Sequence, residues 1–198
     1  MSITERARGA HHAAFGALQR ATDGWAPGLL ARLLFAATLF GYYWNSALTK
    51  IGDGVFGLFV LSPGAYIQIL GFPALDAAGG DPSALPLLSK LIVHAGTYAE
   101  FVLPVLVVIG LFGRLSALGM IAFIAVQTVV DIAQHGAALG APFDRMPDGL
   151  IDVRLLWMFP LAYLVLRGPG LVSVDALLGR TLDARRDGHA PAAMQPAE

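Results

Sequence analysis

Glu100 is the side chain in this sequence that chemistry would most readily use. It stands deep in an apolar run, too far from either end to snorkel to water. An ionisable group at that depth is expensive unless it is used or paired. Gly96 and Pro104 flank it at i−4 and i+4. Proline has no N–H to offer the carbonyl of residue 100, so backbone and side-chain acceptors both need partners there. Two roles are open: a carboxylate that handles a proton or anchors a ligand, or one paired with Arg32, whose long side chain enters from the cytoplasmic side.

A second polar group gathers toward the opposite face. Gln127, Asp131 and His135 are spaced i, i+4, i+8 and share one helical stripe, as do Lys90, His94 and Tyr98. Asp152 and Arg154 open the last apolar stretch, and Asn45 and Lys50 close the first. Such a polar mouth can hold a ligand, admit a proton or dock a soluble partner; it can equally be an ion-pair network that caps the bundle. His94, Asp131 and His135 are metal-compatible donors without a diagnostic HxxxH or ExxH spacing, so no metal site is expected. A bis-histidine haem is disfavoured as well, because His94 and His135 differ in depth by about 10 Å at the helical rise. His11, His12 and His189 fall in polar tails.

The elements that position these groups are set by composition. The 198 residues are 56% apolar and only 14% charged, against about 25% charged in a typical soluble domain, and mean hydropathy is +0.65. Too little charge is present to cover a soluble surface, and too much apolar area for disorder. A formal charge of −1 removes the electrostatic case for nucleic acid. With no cysteine, disulfides, thiolate zinc sites, iron–sulfur clusters and thiol nucleophiles are excluded. The chain reads as an integral membrane protein with no cofactor of its own in evidence.

Four stretches approach the ~20 residues a spanning helix needs: about 28–48, 85–111, 115–135 and 150–166. The fourth is short, with Pro160 near its middle. Between the first two, 55–72 is broken by Ser62-Pro63-Gly64, which reads as a short interfacial or re-entrant helix capped by Ser62 and ending at Gly71. Residues 168–179 suggest another short helix, capped by Ser173. The expected architecture is all-α: a four-transmembrane-helix bundle (25–180) with a polar N-terminal segment (1–24), a short cytoplasmic C-terminal helix and a disordered tail (181–198). Orientation follows from the basic residues. With the N-terminus inside, Arg6, Arg8, Arg20, Arg32, Arg114, Arg167, Arg180, Arg185 and Arg186 lie at the cytoplasmic face, and Lys50, Lys90, Arg145 and Arg154 outside.

Read in order, the segments resemble the DoxX family of four-helix membrane proteins. "LLARLLFAATLF" leading to "SALTKIG" is similar to its first helix, the run from His94 to Ile132 to its central hairpin, and "RGPGLVSVD" to its closing motif. Asn45-Ser46-Ala47 replaces the family's usual Ser-Gly pair, and the insertion at 53–84 is long. The resemblance implies a bacterial inner-membrane subunit beside redox chemistry. Similar proteins are associated with thiosulfate–quinone oxidoreductases, with membrane complexes linked to thiol and oxidative stress, and with metal-handling operons. A related branch assists maturation of a periplasmic dehydrogenase. The implied partners are membrane lipid and another membrane or periplasmic redox protein, and the implied ligand is a quinone. In that reading Glu100 accepts or relays a proton and His94, Asp131 and His135 line the approach. Tyr98, Gln127 and Arg32 are further binding candidates. A small transporter, or a purely structural subunit, are the rival readings.

Overall fold

A backbone removed from water must satisfy its own polar groups, so long apolar runs fold as helices. The computed structural model describes residues 3–54, 56–137 and 153–187. Its helices are α1 (Ile3–Thr22), α2 (Ala26–Leu48), α3 (Pro63–Leu70), α4 (Phe72–Ala77), α5 (Leu87–Ile109), α6 (Gly113–His135), α7 (Val153–Arg167) and α8 (Val174–Asp187). Helix α2 widens to π-type hydrogen bonding over Ala36–Phe40. No strand occurs among the described residues, apart from one isolated bridge between Ile51 and Leu61. The fold is all-α. Three helices, α2, α5 and α6, have 23 residues each and are apolar enough to cross a membrane. Only 22–39% of their most apolar windows is buried within the chain. Most of that apolar surface therefore faces outward, as lipid contact requires and water would not permit.

The main core lies where α2, α5, α6 and α7 meet. Phe35, Leu39 and Tyr43 of α2, Val107 of α5, Met120 and Ile124 of α6, and Leu161 and Leu164 of α7 are all buried there. A second cluster fills the far end, where Leu61, Tyr66, Leu75, Leu85 and Val93 pack the α2–α5 connection onto α5. Pro63 opens α3, and Gly71 closes it at φ +85°, a backbone conformation that favours glycine. The Ser62 hydroxyl donates to the Thr49 carbonyl (3.2 Å) instead of capping the helix as its position suggests.

The other end is knotted around the Gly168-Pro169-Gly170 turn. A methyl group on Gly28 would lie 2.7 Å from the Pro169 backbone, and one on Gly113 would lie 2.6 Å from the proline ring. Asp175 of α8 accepts the backbone N–H groups of Phe112 and Gly113, both at 2.7 Å, and so caps α6 from another helix.

The polar N-terminal segment is a 20-residue helix, supported by alanines at 7, 10, 13, 14, 17 and 21. One expectation needs correction. The C-terminal helix does not end at 179 but continues to Asp187, because good helix formers follow a Ser173 cap that accepts the Ala176 N–H at 3.2 Å. The start of the fourth apolar stretch (150–152, with Asp152), Arg145 and the tail from 188, with His189, lie outside the described residues.

Candidate functional site

Glu100 sits about 20 Å along α5 from Leu87 by the helical rise. It is buried and pairs with Lys50: the ammonium lies 2.7 Å from Oε2 and 3.0 Å from Oε1. The same ammonium donates to Ser46 Oγ (2.7 Å) and, more weakly, to the Ser46 carbonyl (3.3 Å). Both partners are shielded, with side chains 3% and 8% exposed.

The alternative in which Arg32 pairs with Glu100 is therefore overturned. Arg32 is buried too, but donates to the carbonyls of Val108 (2.8 Å) and Val172 at the hairpin end. The reason is the direction in which helical side chains lean. Each Cα–Cβ bond tilts toward its own helix N-terminus. Arg32 in α2 therefore leans away from the bundle centre. Glu100, on the oppositely running α5, leans toward the end where Lys50 stands.

Lys50 and Glu100 form part of the wall of a cavity of about 490 Å³ between α2, α3, α5 and α6. Tyr42 and Ser46 of α2, Gln68 of α3, and Gln127, Asp131 and His135 of α6 supply its other polar groups. Ile69, Ile92, Phe123, Val126 and Val130 make much of the rest apolar. Gly96 lets α3 close on α5, since a methyl there would meet Ile69 at 3.2 Å.

The polar lining is organised, not scattered. Gln127 accepts from the Tyr43 hydroxyl and donates to the Tyr42 oxygen, both at 3.0 Å, which ties α6 to α2. Asp131 is bridged by Arg154 of α7 at 3.0 Å. His135 Nε2 lies 3.0 Å from the Gln68 carbonyl, at the join between α6 and α3.

The stripe of Gln127, Asp131 and His135 thus faces the cavity together with Glu100. The stripe of Lys90, His94 and Tyr98 does not line it. Lys90 donates to the Ser83 carbonyl (3.0 Å), His94 Nδ1 contacts the Lys90 carbonyl (2.8 Å), and Tyr98 donates to the Leu58 carbonyl (2.8 Å). Lys90 and Tyr98 fasten the connection between α2 and α5, whereas His94 contacts its own helix one turn back. Tyr42, Ser46 and Gln68 belong to the site although their sequence context gave no reason to choose them. Lys50 had a usable signal, as a cation at a helix end with Ser46 one turn before it.

A cavity of this size with a few converging polar groups has the usual form of a small-molecule site. Ser46 and Lys50 have the contact of a serine–lysine dyad, but Lys50 Nζ donates to Ser46 Oγ and to both Glu100 oxygens, so the hydroxyl serves as an acceptor to the ion pair. The arrangement suits binding and proton exchange better than nucleophilic attack. No family model, curated protein or solved structure matches the chain.

Proposed function

We propose that this chain is a DoxX-like, four-pass subunit of the bacterial inner membrane that serves a redox or stress-response system. In this reading its cavity receives a quinone headgroup, with Glu100 and Lys50 as the proton-exchanging pair. The observation that carries it is a shielded ion pair set in the wall of a largely apolar 490 Å³ cavity. Ionisable groups inside membrane helices mark ligand or proton pathways by default.

The lining fits such a ligand. Apolar side chains accept the flat ring, and Lys50, Gln68 and Gln127 carry N–H groups suited to carbonyl oxygens. A quinone bound there would supply the two-electron couple. The chain's own residues orient it, keep the ion pair from bulk water and hold the exchangeable proton. With no cysteine in the chain, a membrane or periplasmic partner delivers the electrons.

The four-pass topology draws on α7, whose described 15 residues pack against α2 and α6. Helix α3 has eight residues and cannot span a bilayer, which suits an interfacial or re-entrant role. Arg32 binds at the hairpin end, beside the turn that follows Arg167, while Lys50 meets the far end. That distribution favours both termini on the cytoplasmic side.

Photolabelling tests the reading. The protein in native lipid is exposed to a photoactivatable short-chain quinone, with and without excess unlabelled quinone. Saturable, competable labelling of peptides carrying Tyr42 or Gln127, abolished by the cavity-filling Ala95→Trp, is the expected result. Labelling that neither saturates nor responds to Ala95→Trp overturns it. Protein-dependent ion flux in proteoliposomes without such labelling would favour a transporter.

A further inference from the structure

We infer that α1 lies flat on an anionic lipid surface, as an amphipathic helix at the entrance to α2. This is independent of what the cavity binds. Across Thr4–Ala21 every residue is exposed except half-buried Gly16, so α1 is not packed into the body of the chain. Most helical stability in proteins comes from packing an apolar face, and α1 has no such packing within the chain.

The sequence of α1 indicates which surface. At 100° per residue, Ala7, Ala14, Phe15 and Leu18 fall on one arc, together with His11 whose ring lies against Phe15 at 4.5 Å, and Phe15 and Leu18 are 59% and 58% exposed. Gly9 and Arg20 lie on the opposite arc, and Arg6 and Arg8 stand to either side between the two arcs, where long cationic side chains reach headgroups while their stems stay in the apolar boundary. Three arginines against one glutamate make the complementary charge negative.

Position supplies the second argument. The Asp23 carboxylate takes the Gly24 N–H at 3.0 Å, and Gly24 at φ +81° ends any continuation of α1. Trp25, 42% exposed, then leads directly into membrane-length α2. A tryptophan at such a junction belongs to the membrane–water interface. The Leu171 N–H bonds the Gly24 carbonyl at 2.8 Å, and Leu171 and Val172 are themselves about half exposed. An apolar rim therefore lies at the level where α1 ends and α2 enters.

The test uses the full chain, whose lack of cysteine permits single spin labels. Ala14→Cys reports the apolar arc and Gly9→Cys the polar one; nothing lies within 4 Å of a methyl at Gly9. In nanodiscs containing phosphatidylglycerol, the label at 14 should meet lipid-soluble oxygen and the label at 9 the water-soluble nickel relaxant. Replacing Arg6 and Arg8 by glutamine should weaken surface binding roughly thirtyfold, at about 1 kcal/mol per residue. Pure phosphatidylcholine should have a similar effect. Equal water access at both positions in anionic nanodiscs overturns the proposal. So does spin–spin broadening at 14, which would assign the apolar arc to a second copy of the chain.

Discussion

Removing one member of the Lys50–Glu100 pair should cost far more than removing both. Glu100→Gln leaves a lysine that is 3% exposed with Ser46 as its only remaining partner in the pair's network. Lys50→Met leaves a carboxylate in the same shielded place. Stranding one charge of a buried pair costs about 3–5 kcal/mol, whereas an apolar replacement of both is often neutral. The Ser46 contacts at 2.7 and 3.3 Å and the neighbouring cavity soften the loss. Each single change should therefore cost about 3 kcal/mol, roughly a hundredfold in the folding equilibrium. The double variant Lys50→Met/Glu100→Leu should fall within about 1 kcal/mol of the parent.

Arg32→Gln is the control, because Arg32 binds the Val108 and Val172 carbonyls and does not touch Glu100. Combined with Glu100→Gln it should add to within about 0.5 kcal/mol. Unfolding in mixed micelles with increasing dodecyl sulfate, followed by the fluorescence of Trp25, Trp44 and Trp157, measures all of these. Single costs below about 0.5 kcal/mol, or a Lys50→Met/Glu100→Leu variant less stable than either single change, would refute the pairing argument.

Three smaller predictions concern the ends of the bundle. Asp175→Asn removes the charge that caps Phe112 and Gly113; it should cost about 1–2 kcal/mol in the same unfolding assay. Gly28→Ala drives a methyl to 2.7 Å from the Pro169 backbone and should cost about 1–3 kcal/mol, seen as a lower Tm. In the exposed α2–α5 connection, the Ser83 hydroxyl and N–H hold the Asp81 carboxyl below its ordinary range. A depressed folded-state pKa gives stability that is present above the usual carboxylate range and lost as pH falls through the folded value. Ser83→Ala should move the Asp81 titration upward in a carboxyl NMR experiment, and an unmoved curve would contradict the assignment.

Periodicity and apolar length made the long helices legible. The stretches 28–48, 85–111 and 115–135 agree with α2, α5 and α6 to within two residues at each end. Pro63 and Gly71 likewise bounded α3, because proline at a first turn and glycine after a last one act locally. The site was legible by halves. Glu100 and the Gln127–Asp131–His135 stripe could be found because a polar residue in an apolar run stands out.

Its partner could not be chosen from spacing alone. Arg32 was the expected partner, and the direction of side-chain lean on antiparallel helices gives Glu100 to Lys50 instead. His94 and Tyr98 share α5 with Glu100, yet Tyr98 binds the loop above it and His94 turns back onto its own helix. Which stripe faces the cavity depends on where α3 packs, and no local pattern encodes that. The cap of α6 by Asp175 was equally hidden, since its partners are more than 60 residues away in sequence.

Native mass spectrometry of the protein, gently released from its own membranes, tests the central claim most directly. The parent chain should carry an adduct of quinone mass, and Ala95→Trp, which places an indole in the cavity lining, should lose it. A spectrum with lipid adducts alone on the parent, or a quinone adduct that survives Ala95→Trp, would contradict a quinone site beside Glu100.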